Sequence, residues 1–209
     1  MITPIANPSE QLKRPTCATC LRPQSTCICQ WITPTAHAVE VLILQHPLEV
    51  DNAKGSARLL HLSLPHSRLV TGEVFTPQAM QALLAGPRQA ALLYPETPHI
   101  PDTPEPPALS PELLRSPAQL RLVVLDGTWR KSRKMLHLNP LLQHLPRLPL
   151  RDLPASRYLI RKAHRPDQLS TLEATCAALA QLEGNAEQFQ PLLAAFDGFV
   201  AQQLACNVR

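Results

Sequence analysis

An apolar run, Leu122 to Leu125, stops on Asp126-Gly127-Thr128-Trp129, and four cations follow within five positions: Arg130, Lys131, Arg133 and Lys134. A carboxylate placed where a buried strand meets a helix has two uses. It can cap the helix by accepting first-turn amide protons. Partly withdrawn from water, it can instead act as a base or as an acceptor for substrate. Gly127 permits close backbone approach. Trp129 is either core or a ring on which a base or adenine stacks, and the basic block suits a polyanion.

A second group lies in "CATCLRPQSTCIC". Cys17, Cys20, Cys27 and Cys29 have the spacing C-x2-C-x6-C-x-C. Four thiols packed this closely fit a structural tetrahedral metal site, with zinc expected and no open position for catalysis. An iron–sulfur cluster or disulfides are the alternatives. Cys176 falls on the apolar face of its helix, and Cys206 reads as an ordinary terminal thiol.

Two further groups are bifunctional in the same way. Ser170 and Glu173 form the S-x-x-E capping box at the head of a strong helix, whose first amides are candidate holders of a ligand carboxylate. In "RYLIRKAHR", Arg157, Arg161 and Arg165 are four residues apart, so on a strand all three would share one face. Such a row, with Lys162, suits phosphates or protects a sheet edge. His46 before Pro47 and Tyr94 before Pro95 are turn residues at strand ends.

The elements that must position these groups follow from the pattern. Continuous apolar strands are expected over 38–47, 90–95 and 120–125, with further strands over 67–75 and 157–162. Helices are expected over 51–64 (capped by Asp51 or Asn52), 76–85, 128–138, 170–184 and 190–206. Residues 95–117 hold eight prolines and read as an exposed loop. Short apolar strands alternating with helices indicate an α/β domain with a mostly parallel sheet. Such sheets bind ligands beyond their carboxyl ends. Three strand ends then converge: Gln45-His46-Pro47, Tyr94-Pro95 and Asp126-Gly127-Thr128-Trp129.

Composition narrows the classes. The 209 residues include 23 prolines but only 6 glycines, and none of these falls as G-x-G-x-x-G or as a P-loop. A Rossmann or P-loop nucleotide site is therefore excluded. No apolar run approaches the roughly 20 residues needed to cross a bilayer. The first residues lack a signal pattern, so a cytoplasmic protein is expected. Residues 126–165 carry ten Lys and Arg against two acids, whereas the remainder carries ten against fourteen. Such polarity suggests a nucleic-acid partner.

In order and spacing, "CATCLRPQSTCIC", "VLILQHPLE", "LLYP", "VVLDGTW", "RYLIRK" and "LSTLEA" resemble the DTW-domain proteins over about residues 15–185. The resemblance implies a tRNA-uridine aminocarboxypropyltransferase. Such an enzyme moves the 3-amino-3-carboxypropyl group of S-adenosylmethionine to N3 of a uridine and releases methylthioadenosine. It also implies a SPOUT-like fold whose knotted carboxyl-side region holds the donor. Residues 1–33 would then carry the zinc knob, and 34–209 the catalytic domain with a Pro-rich insertion at 95–118.

On this resemblance Asp126 is the expected base. Gln45, His46, Leu93, Tyr94, Pro95, Leu125, Gly127, Thr128, Trp129, Leu169, Ser170, Thr171 and Glu173 are expected to line the donor pocket. Arg130, Lys131, Arg133, Lys134, Arg157, Arg161, Lys162 and Arg165 would grip tRNA, with the protein working as a monomer or a homodimer. "KGSA" departs from the family pattern, where Thr commonly replaces Gly-Ser. The competing functions are a SPOUT-type RNA methyltransferase and a non-catalytic zinc-ribbon RNA binder.

Overall fold

A computed structural model describes residues 15–96, 105–151 and 169–207. In chain order its main elements are β1 (Glu40–Gln45), α1 (Ala57–Ser63), β2 (Ser67–Thr71), α2 (Pro77–Leu84), β3 (Gln89–Leu93) and α3 (Pro111–Leu114). There follow β4 (Leu120–Asp126), α4 (Trp129–Leu138), α5 (Pro140–Gln143), β5 (Arg147–Leu148), α6 (Thr171–Glu183) and α7 (Gln190–Asn207). The strands form one sheet in the order β2-β1-β4-β3-β5, and every pair is parallel.

The apolar runs of β1 and β4 are continuous because both sheet faces are covered. Val41, Ile43, Leu122 and Val124 pack toward α1, α6 and α7. Leu42, Leu44, Val123 and Leu125 face Met80 of α2, Met135 of α4 and Leu142 of α5. Leu42, Ile43 and Leu44 are fully buried. Burial of one such side chain contributes about 1.5–3 kcal/mol. At the amino-terminal end of the sheet, buried Arg121 pairs with Glu40 at 2.6 Å and donates to the Leu83 and Ala85 carbonyls at 3.1 and 3.0 Å. Those bonds close the end of α2.

The connections decide where a ligand can sit. β1 leads outward to β2 at one edge, whereas β4 leads to β5 at the other, so the connections part between β1 and β4. Open parallel sheets bind ligands at such a switch point, beyond the strand ends. The two residues paired there are Gln45 and Asp126.

Several boundaries differ from expectation for local reasons. The helix expected over 51–64 starts only at Ala57. Ahead of it, the Lys54 amide bonds the Asn52 side chain at 3.0 Å, which folds the segment as a turn. β2 ends at Thr71 instead of Phe75, because the Phe75 amide is drawn to Asn139 Oδ1 at 2.9 Å. The Pro-rich stretch is not wholly irregular, since Ser110 caps the one-turn α3 and Pro111 occupies its first position, where proline is tolerated. β5, at two residues, is too short to leave a periodic signal. The strand expected over 157–162, and with it the path that would form a knot, lies outside the described residues. Among the described residues, no helix is long and apolar enough to cross a membrane.

Candidate active site and metal centre

Asp126 is buried at the carboxyl end of β4, and both its oxygens are engaged. Oδ2 accepts from Gln45 Nε2 at 2.9 Å, and Oδ1 accepts from Thr171 Oγ1 at 2.7 Å. The first partner comes from the adjacent strand and the second from the first residue of α6. The His46 amide, donating to the Asp126 carbonyl at 2.9 Å, extends the β1–β4 ladder to this point. Asp126 does not cap the following helix. That task falls to Thr128, whose hydroxyl accepts from the Lys131 amide at 3.4 Å. Gly127 leaves room for the first turn of α4, because a Cβ there would stand 3.0 Å from Lys131 Cβ and crowd it.

The start of α6 is held from three sides. Ser170 and Glu173 complete the capping box, with bonds of 3.2 Å from the Glu173 amide to Ser170 Oγ and 2.7 Å from the Ser170 amide to Glu173 Oε2. The Leu172 amide donates to Ser56 Oγ at 3.3 Å. Three of the amides expected to be offered to a ligand carboxylate, those of Ser170, Leu172 and Glu173, thus have acceptors within the fold. Ser56, in the divergent "KGSA", supplies one of them.

The other strand ends are organised by ion pairs and rings. His46 accepts the Leu48 amide at Nδ1 (3.1 Å), so the ring proton sits on Nε2 and is donated to Glu73 Oε1 at 2.9 Å. Glu73 in turn pairs with Lys134 at 2.9 Å. Bonds from Lys134 and then His46 hold its carboxyl below the ordinary range. Nδ1 of His46 thus serves the turn after β1, and Nε2 ties that turn to Glu73 beyond β2. Tyr94 is buried, its phenol pushed up by that burial. It meets Trp129 edge-on at 5.8 Å, and the Arg147 guanidinium lies 5.5 Å from its ring centre. Trp129 is 49% exposed, so its indole is offered to the surface. Leu125 packs with Tyr94, Leu93 packs on the opposite face of the sheet, and Pro95 and Thr128 are exposed.

The basic block divides into two kinds. Lys131 is tied to Glu49 at 2.8 Å and Lys134 to Glu73. Arg130 and Arg133 are exposed. Arg157, Arg161, Lys162 and Arg165 lie outside the described residues, and Leu169 is half-buried just before α6. Glu73 and Arg147 went unnoticed in the sequence, and Glu49 and Ser56 appeared there only inside quoted motifs, with no role. The only available signal was the alternation of acids after β1 and β2 with the cations after β4.

The four-cysteine knob packs on α7. Trp31 Nε1 donates to Gln202 Oε1 at 2.5 Å, and Gln202 Nε2 donates to the Cys27 carbonyl at 3.0 Å. The Trp31 ring covers Gly198 so closely that any Cβ there would collide with it. Cys17 and Cys29 sulfurs are 3.5 Å apart and those of Cys20 and Cys27 3.7 Å, with all four within 4.8 Å of one another. Zinc–sulfur bonds of about 2.3 Å place tetrahedral ligands about 3.8 Å apart, whereas a disulfide needs about 2.05 Å. The cluster therefore fits one tetrahedral ion. The amides of Cys20 and Thr19 hold the Cys17 thiol down to about 6, while burial, then the neighbouring thiols, push Cys29 up to about 12. A bound cation would displace the protons these sulfurs share.

Arg22, between the two cysteine pairs, ties the knob to the sheet. Its Nη1 donates to the Ala53 carbonyl at 2.6 Å and Nη2 to the Gly55 carbonyl at 2.9 Å, while its guanidinium covers Phe199 at 5.2 Å. The turn it grips leads into Ser56 and thence to α6.

A buried carboxylate at the switch point of a parallel α/β sheet, beside a four-thiol knob, defines the class. The DTW domain model matches residues 14–204, and the chain belongs to that family. The chain is 31% identical over 189 residues to tRNA-uridine aminocarboxypropyltransferase 2 of Drosophila melanogaster, a match covering 87% of this chain and 72% of that protein. It is 29% identical over 180 residues to the Macaca fascicularis protein of the same name, covering 83% of this chain. It therefore spans only 58% of the macaque relative's length. With tRNA-uridine aminocarboxypropyltransferase A of Arabidopsis thaliana the identity is 31% over 139 residues, covering 59% of this chain and 51% of that protein. No solved structure matches.

Proposed function

We propose that this protein transfers the 3-amino-3-carboxypropyl group of S-adenosylmethionine to N3 of a tRNA uridine and releases methylthioadenosine. The observation that carries the reading is Asp126, pinned through both oxygens at the switch point. The names of the relatives support the reaction class. Uridine N3 bears a weakly acidic proton and is a poor nucleophile. A fixed carboxylate within about 3 Å accepts that proton as attack begins, a contribution typically worth 10²–10⁴-fold, or roughly 3–5 kcal/mol. The N3 electron pair forms the bond to the carbon beside sulfur. The carbon–sulfur pair returns to the sulfonium, which leaves as a neutral thioether.

In this reading Tyr94 and Trp129 border the donor, within a SPOUT-type knotted pocket. Exposed Arg130 and Arg133 meet tRNA phosphates, with Arg157, Arg161, Lys162 and Arg165 joining them. The knob carries zinc as a structural ion, because its sulfur spacings suit that metal. The test is to incubate the protein with unmodified tRNA and S-adenosylmethionine and weigh the nucleosides. A uridine heavier by an aminocarboxypropyl group is expected. A methyl increment would make it a methyltransferase, and an unmodified tRNA that still binds would make it an RNA-binding protein.

A further inference from the structure

Aminocarboxypropyl transfer differs from methyl transfer only in which carbon beside the sulfonium faces the nucleophile. The protein must therefore grip the α-amino-carboxylate end of the donor. The Ser170, Leu172 and Glu173 amides at the start of α6 already have acceptors, so charged side chains elsewhere are the better candidates. A cleft of about 180 Å³ opens between the knob and the end of β1, with Cys20 and Leu21 on one wall and Gln45, Asp51 and Arg58 on others. At about 30 Å³ per water it has room for about six waters, enough for the few heavy atoms of such a group.

Charge distinguishes this cleft from an ordinary surface hollow. Two of its charged residues are already engaged: Arg22 with the Ala53 and Gly55 carbonyls, and Glu49 with Lys131 and Asn52. Arg58 and Asp51 line the same cleft, and among the described residues neither side chain has a hydrogen bond or ion pair. They are opposite charges, unpaired with each other. A ligand with one carboxylate and one ammonium satisfies both, and charge-assisted bonds of this kind are the strong ones. Gln45 lines the cleft and bonds Asp126, so the cleft opens beside the reacting centre. The ends of β3, β4 and β1 are successive in the sheet, about 4.8 Å apart. Tyr94 follows β3, Asp126 ends β4 and Gln45 ends β1, so the three lie in that order along the carboxyl edge.

We infer that Arg58 holds the carboxylate, and Asp51 the ammonium, of an α-amino acid group. This rests on the aminocarboxypropyl reading above. With that end of the donor held in the cleft, the carbon beside sulfur, and not the methyl, faces the nucleophile at Asp126.

Calorimetry on the full chain with two probes tests it: S-adenosylmethionine, and methylthioadenosine, which lacks the amino acid end. Arg58→Ala should weaken S-adenosylmethionine by about tenfold to a hundredfold and leave methylthioadenosine unchanged, which also certifies the fold. Asp51→Asn, at an exposed turn, should give a smaller loss with the same selectivity, and Arg58→Lys should recover most of the affinity. Decarboxylated S-adenosylmethionine should bind wild type and Arg58→Ala alike. Wild-type affinity for S-adenosylmethionine in both variants, or losses shared equally by the two probes, would overturn the assignment of the cleft while leaving the donor reading intact. A wild-type protein that binds neither probe would overturn the donor reading and this inference with it.

Discussion

The knob and the carboxyl edge of the sheet are built on opposite plans. All four knob ligands lie within thirteen residues, and their geometry follows from chain spacing and a short knuckle. At the sheet edge, Asp126 depends on Gln45 and Thr171, which are 81 and 45 residues away in the chain. The knob's four sulfurs are spaced to share one ion, whereas the site is ordered by packing on both faces of the sheet. Arg22 joins the two plans. Through Ala53, Gly55 and Ser56 it links the knob to the start of α6, and so to Thr171.

Metal removal would strain this comparison hardest. Structural zinc in small domains contributes about 10 kcal/mol or more of folding free energy to its own module. Chelation should therefore unfold residues 15–31, while circular dichroism retains most of the helix signal of the sheet domain. Transfer activity should fall with the metal, because Arg22 loses its frame. Full activity in metal-free protein would show that the two regions are independent.

The site has its own probes. Thr171→Val and Gln45→Leu each remove one donor to Asp126 and leave the other. Each should lower kcat by about tenfold to a hundredfold through a misplaced carboxylate, with tRNA affinity unchanged in a filter-binding assay. Unchanged kcat in both variants would mean that Asp126 needs no such support.

The smallest effect expected is a gain. Leu21 sits at φ 58° in the knuckle, a left-handed conformation that costs a side chain about 1–2 kcal/mol. It is also 58% exposed, so little packing offsets that strain. Leu21→Gly should raise the melting temperature of the metal-loaded protein by a few degrees, as measured by calorimetry. A lower melting temperature would mean that the leucine packs usefully.

The same contrast explains what was legible in the sequence. The cysteine cluster, the S-x-x-E cap and the apolar runs of β1 and β4 are local features, and each appears with a boundary within a few residues. Asp126 stood out because a carboxylate terminates an apolar run. Its partners did not, because a Gln45–Asp126 bond exists only once β1 and β4 are neighbours in register. Ser56 looked like a departure from a motif, and only the approach of α6 gives it a role. The helix begun too early at Asp51 failed for a related reason: a side-chain turn at Asn52 competes locally with helix, and the sequence pattern does not weigh the two.

The central claim is that Asp126 accepts a proton and does not merely bind. Single-turnover transfer with Asp126→Asn, run beside binding of tRNA and S-adenosylmethionine to the same variant, tests it most directly. The near-isosteric amide should leave both affinities within about twofold while transfer falls at least about 10²-fold. An Asp126→Asn protein that transfers at the wild-type rate, or one that loses donor binding and activity in equal measure, would contradict the account.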